Sequence, residues 1–284
     1  MAISLKRFRF KTISILLFIG LIISISNGLF NTIWALFLDS FLHNESYVGL
    51  FSTLISIVAL ISFVIFIPII EKYQENKVYI YSLAFSIFIL FLYSITKSIY
   101  LVFVLALIYI MFGVLRAESF GIMYRNESKT KALGKNEGLV YTLSNLGWLL
   151  GPLLGAFLLR IYDIPQIFSV AALLAFIALL IFILYKHKAR KYKIKYKLLE
   201  NLKLFFKNQD LRHLYLAGIG ISIWWGFIFI YIPLHMVRNG IEKSQVGIFF
   251  FLLILPLLME YIIGKKSDKL GSKPFISSGY FIIS

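Results

Sequence analysis

Eight long apolar runs, almost free of charge and separated by polar segments, occupy most of this 284-residue chain. They cover residues 12–38, 47–70, 78–95, 99–123, 138–159, 164–185, 214–236 and 245–264. Crossing the hydrocarbon core of a bilayer takes ~20 helical residues, with a range of roughly 17 to 25 and more when tilted. Hydrocarbon offers no partner to an open backbone N–H or C=O, so runs of this kind must close their hydrogen bonds internally as helices. A membrane β-barrel would show alternating segments of about ten residues, and these runs do not alternate. The expected fold class is therefore an all-α, polytopic membrane protein. A ninth run starts at Pro274 and reaches Ser284 after eleven residues, too few to cross at ~1.5 Å per residue.

Composition agrees. Hydrophobic residues make up 60% of the chain and the mean hydropathy is +0.86, beyond what a soluble domain of this size carries. A formal charge of +16 would suit a nucleic-acid binder if the bases lined one soluble face. They sit instead in short segments between apolar runs, so no nucleic-acid partner is expected. Lys6, Arg7, Arg9 and Lys11 before the first run resemble a signal-peptide start. That run is too long for such a core and lacks a small-residue cleavage site, so it reads as a retained first span.

The basic residues also orient the chain. With a cytoplasmic N-terminus, 24 of the 29 Lys and Arg fall in cytoplasmic segments and only Lys97, Arg160, Arg238 and Lys243 in the outer loops. Arg116 lies within a run. This is the positive-inside asymmetry of a multi-pass cell-membrane protein. Residues 186–213 are long and basic and follow six spans. Within them Leu198 to Phe206 mixes apolar and charged residues at helical spacing, as an amphipathic helix at the membrane surface would; a plain basic tether is the other reading. The chain divides accordingly into a six-helix bundle (1–185), a cytoplasmic basic linker (186–213) and a partial second bundle (214–284).

An internal repeat links the two bundles. Ser46-Tyr47-Val48-Gly49-Leu50-Phe51 and Ser244-Gln245-Val246-Gly247-Ile248-Phe249 share S-x-V-G-x-F at the outer start of a span. Glu71-Lys72 and Asp268-Lys269 follow at the cytoplasmic end of each. Spans seven to nine thus read as a copy of spans one to three, a plan of parallel repeats known among transporters.

Two motifs resemble the major facilitator superfamily. Gly264-Lys265-Lys266-Ser267-Asp268-Lys269-Leu270-Gly271-Ser272-Lys273 looks like its G-x-x-x-D-[RK]-x-G-x-[RK] loop, with a degenerate copy from Ile67 to Lys77. Gly147-Trp148-Leu149-Leu150-Gly151-Pro152-Leu153-Leu154-Gly155 looks like its G-x-x-x-G-P-x-x-G sequence, which is associated with exporters working by antiport. The resemblance implies two bundles of six helices and proton-linked efflux of drug-like molecules or sugars. On that plan Ser284 reads as a break within the second bundle. Gly147, Gly151 and Gly155 also share one helix face, where a neighbouring helix can approach closely, and Pro152 can bend the helix.

Charges within spans are costly, roughly 2.5–3.5 kcal/mol each near the centre on insertion scales. Arg116, Glu118 and Glu260 fall within the runs, each in the cytoplasmic third by these boundaries. A carboxylate there can carry a proton between the two sides, which makes Glu118 and Glu260 the proton-coupling candidates. A charge cluster latching the cytoplasmic ends is the alternative, since Glu260, Gly264 and Asp268 are four apart. Arg116 is expected to organise a carboxylate or an anionic solute. Polar stripes mark a cavity: Ser24, Asn27, Asn31 and Trp34 share a face of span one, span five adds Asn145 and Trp148, and span seven adds Trp224 and Trp225. Amides among aromatic rings suit an amphipathic organic molecule or a sugar, or simply hydrogen bonds between helices. Asp39 should lie just outside the membrane.

No phosphate-binding glycine loop, H-E-x-x-H or G-x-S-x-G occurs, so neither an enzyme nor a cofactor is expected. The expected partners are the lipid bilayer, a small solute and a proton. The function expected from these features is proton-coupled export by alternating access. An uptake carrier of the same fold and a non-transporting truncated fragment are the rival readings.

Overall fold

The computed structural model describes residues 2–127, 133–185, 198–259 and 274, and among them helices account for nearly everything. In chain order these are α1 (Ala2–Leu42), α2 (Glu45–Ile65), α3 (Ile67–Lys72), α4 (Glu75–Ile95), α5 (Ile99–Glu127), α6 (Leu133–Leu158), α7 (Ile164–Tyr185), α8 (Leu198–Lys207), α9 (Gln209–Arg238) and α10 (Lys243–Ile254). Seven of them, α1, α2, α4, α5, α6, α7 and α9, are long and apolar enough to cross a membrane. The eighth predicted run appears as α10 continued by a 3₁₀ turn, Leu255–Met259. That turn starts beside Pro256, which has no N–H to extend the α-helical ladder. The ninth run, apart from Pro274, lies outside the described residues.

Two sequence boundaries shift for local reasons. The run 47–70 is not one helix: α2 stops at Ile65 and α3 begins at Ile67 with proline in its first turn. Pro68 cannot bond back to the preceding turn, so the ladder is broken there. The run 99–123 in turn extends to Glu127 as α5, which moves the centre of that span toward Arg116.

The turns are closed by side chains chosen for that work. Asn44 caps α2, its side chain accepting from Ser46 N at 2.9 Å and Tyr47 N at 3.3 Å. Asn208 caps α9 in the same way through Asp210 N and Leu211 N. Each satisfies N–H groups that a helix start leaves open. Gly240, at φ +81°, ends α9 with the left-handed turn glycine adopts without strain.

In lipid there is little hydrophobic gain from pressing one apolar helix on another, so close backbone approach and hydrogen bonds hold the bundle together. α1 packs chiefly against α6 and α7, α4 against α5 and α7, and α10 against α6. Ser26 Oγ on α1 donates across to Ala171 O on α7 at 2.8 Å. Large side chains such as Leu54, Phe85, Phe88 and Leu184 remain exposed on the outer faces, where a bilayer would cover them.

The Val-Gly pairs of the two S-x-V-G-x-F copies behave alike. Val48 and Gly49 are buried between exposed Tyr47 and Leu50, and Val246 and Gly247 are buried between exposed Gln245 and Ile248. Both glycines mark close crossings: Gly49 meets the Tyr231 hydroxyl on α9, and Gly247 meets Pro152 O and Ala156 N on α6. α8 forms where the amphipathic segment was expected, and the basic stretch before it lies outside the described residues.

Candidate functional site

The span-one stripe splits between two jobs. Asn27, Asn31 and Trp34 line a cavity of about 480 Å³, a size usual for small-molecule sites. Ser24 instead packs against Gly147 on α6, on the side where the two helices touch. Arg116 enters the cavity from α5. It is only 9% exposed, and its Nη2 donates to Asn27 Oδ1 at 3.0 Å. The same guanidinium is hydrogen-bonded to the Tyr109 hydroxyl. Asn27 lies near the middle of the apolar stretch Ile13–Leu42, so the hydrogen bond holds Arg116 near mid-height rather than in one outer third. The longer α5 explains the difference from the sequence boundaries.

Two groups of aromatic rings line the same cavity. In one, Phe30 stacks on Trp34 at 5.0 Å and on Tyr109 at 4.9 Å, with Tyr93 edge-on to Trp34 at 5.6 Å. In the other, Trp225 stacks on Phe229 at 5.5 Å and Trp148 tilts over Phe229 at 5.9 Å. Of the remaining candidates, Asn145 lines an adjoining cavity of about 400 Å³ that shares Trp148, Trp225 and Phe229. Trp224 packs edge-on against Trp225 and lines neither. Ser52, Tyr93, Tyr109, Phe30 and Phe229 were not singled out from the sequence. Tyr109 could have been, since Tyr109, Gly113 and Arg116 follow one helix face.

Glu118 is not brought to the cavity. Two residues beyond Arg116, it points elsewhere around the helix, is half-buried and feels the charge of Arg125 on the same helix. Glu260, Gly264, Asp268, Lys269 and Gly271 lie outside the described residues. Among the described residues no carboxylate lines the cavity.

The glycine motif sits where three helices meet. A methyl group on Gly151 would stand 2.6 Å from Ile25 O and from Leu29 N of α1, and one on Gly147 would strike Ser24. On α6's other flank Gly247 of α10 approaches Pro152 and Ala156. Gly155 faces Leu29 and Thr32. The motif thus works as close packing of α6 against α1 and α10.

A charge cluster joins α9 to α1 and α2. Arg238, at the end of α9, reaches Asp39 of α1 at 2.9 Å and Glu45 of α2 at 2.7 Å. Below this cluster Tyr231 meets Gly49, so α2 and α9 touch. From this crossing onward they flank a groove of about 860 Å³, walled by Gly49, Ala59 and Phe63 on one side and Tyr215, Gly218 and Tyr231 on the other. The groove shares Ser52, Ser56, Ala59, Gly226 and Ile230 with the central cavity. The central cavity is therefore continuous with the groove, and the Arg238 cluster ties together the ends of α1, α2 and α9 above it.

Comparison with known proteins places this arrangement. A profile for the Major Facilitator Superfamily matches residues 16–284. An uncharacterized MFS-type transporter of Methanocaldococcus jannaschii is 30% identical over 159 residues, 54% of this chain and 41% of that protein. The chain thus aligns with about two-fifths of that relative's length. Among solved structures, the peptide transporter POT in complex with sulfate superposes with a TM-score of 0.63 at 12% identity, over 92% of this chain and 69% of that one. A POT family transporter in complex with a thioalcohol conjugated peptide gives 0.55 at 12% identity, over 89% and 52%. At such identities the likeness is one of fold.

Proposed function

The chain belongs to the major facilitator superfamily, and on that footing we propose that it is a secondary active transporter moving a small organic solute by alternating access. The observation that carries this reading is the cavity among the spans, continuous with a groove between α2 and α9, with the Arg238, Asp39 and Glu45 cluster tying α1, α2 and α9 together at one end. A carrier needs a site that one side of the membrane reaches at a time, with two helical bodies rocking about it. Residues 1–185 form one body, 186–213 the cytoplasmic linker, and residues from 214 onward belong to the second. With the N-terminus cytoplasmic, as the 24 basic residues of the inner segments support, the cavity opens to the cytoplasm and the Arg238 cluster lies outside.

We assign the direction as export coupled to proton entry. The support is the Gly147–Gly155 motif and the half-buried carboxylate of Glu118 on the helix that also carries Arg116. Because Glu118 stands off the cavity, it would exchange its proton separately from the solute and act on it through α5. In inside-out vesicles, imposing an acidic interior should drive accumulation of substrate. Glu118→Gln should abolish the response to the gradient while leaving solute counterflow at equal pH intact. Gradient-driven accumulation that survives in Glu118→Gln would remove Glu118 from the coupling, and absence of flux in any gradient would count against transport itself.

A further inference from the structure

We infer that the cavity selects organic monoanions: a carboxylate or similar oxyanion attached to an apolar, ring-bearing body. This rests on the cavity being the solute site and adds what that site recognises. Two observations carry it. The first is charge. Arg116 is 9% exposed, its partners are the neutral Asn27 amide and Tyr109 hydroxyl, and among the described residues no carboxylate lines the cavity. A guanidinium has five donors, and a cation held within a membrane protein is expensive unless an anion meets it. Its planar fork matches a carboxylate through two parallel hydrogen bonds.

The second observation is shape. Aromatic side chains of α1, α4 and α5 and of α6 and α9 line the same cavity as Arg116, whose volume of about 480 Å³ has room for a flat apolar body. An organic cation would face Arg116 with no compensating acid among the described lining residues, and a sugar would find few acceptors among these rings.

Three of the four tryptophans, Trp34, Trp148 and Trp225, line the cavity, so intrinsic fluorescence reports occupancy directly. The purified chain in detergent would be titrated with phenylbutyrate, phenylbutyramide and phenylbutylamine, which share one body and differ in charge. Phenylbutyrate should bind about 30-fold more tightly than the amide, the scale of a buried charged hydrogen bond, and the amine weakest. Arg116→Gln should erase the preference for the acid while retaining the amide, and Arg116→Lys should keep part of it. Equal binding of the three, a preference for the amine, or an acid preference that survives in Arg116→Gln would overturn charge selection while leaving the cavity as a solute site. Should none of the three alter the fluorescence, the cavity would lose its role as a solute site as well.

Discussion

Gly151→Val will melt well below the parent protein. A Cβ at this position stands 2.6 Å from Ile25 O and Leu29 N and 2.8 Å from Gly28 C. Those are backbone atoms in the middle of α1, and they cannot swing aside as the end of a flexible side chain would. Nor can α6 retreat, because α10 presses on its other flank through Gly247 at Pro152 and Ala156. Overpacking a well-filled core costs about 1–3 kcal/mol even where neighbours adapt. Here the expected loss is about 3 kcal/mol or more, a fall in Tm of roughly 6–12 °C for a chain of this size. Gly121→Ala is the matched control: it lies within α5 with nothing within 4 Å of the added methyl, and alanine is the better helix former. Thermal melts of the two proteins in one detergent check this, and a Gly151→Val protein melting with the wild type would contradict the packing described.

The second large effect is on flux without any loss of fold. Gly113 of α5 and Gly226 of α9 both line the cavity, and a Cβ on either meets nothing within 4 Å. Gly113→Phe combined with Gly226→Phe therefore places two benzyl groups at the cavity wall, where an added Cβ meets open space. Phenylalanine suits a helix interior better than glycine, so the double variant should express and melt like the parent. Solute flux should drop to that of empty vesicles. Normal flux in a well-folded double variant would mean that the solute passes elsewhere.

How much of this was legible in the sequence follows from which forces act locally. The spans could be read because bilayer thickness sets one length for all of them, and seven of the eight predicted runs are helices of that length. The split at Pro68 was a local signal overlooked within an apolar run. The S-x-V-G-x-F repeat could be read from its letters, and its Val-Gly pair is buried in both copies. Asn27, Asn31 and Trp34 were found as a cavity face because an amide in lipid needs a partner. Ser24 shared their periodicity but not their neighbour, which only the approach of α6 decides.

The remainder depends on contacts between distant helices. No spacing rule joins Arg238 to Asp39 and Glu45, some two hundred residues earlier. Tyr93 and Ser52 enter the cavity because α4 and α2 are rotated to put them there, and each sits in its sequence as an ordinary residue of an apolar run. Arg116 and Glu118 could be told apart from the sequence, because they are two residues apart on one helix. At about 100° of turn per residue they point in nearly opposite directions, and one helix places them in separate environments.

The Arg238 cluster is half-exposed, with side chains 25–40% accessible, so it is a modest bias and not a lock; pairs of this kind contribute about 0.2–1 kcal/mol each. A bias of that size suits an element that must open on every cycle. Reversing its charge would set three acids at one point and push the ends of α1, α2 and α9 apart.

The chain has no cysteine, so a single one introduced at Ser56, on the wall shared by the cavity and the groove, reports access without background. Membrane-impermeant maleimide applied to sealed, oriented vesicles should label Ser56→Cys from the cytoplasmic face and leave it protected from the outside. Adding Arg238→Glu should raise outside labelling and lower inside labelling together. Equal labelling from both faces with Arg238 intact, or an Arg238→Glu protein indistinguishable from its parent, would contradict a cavity reached from one side at a time.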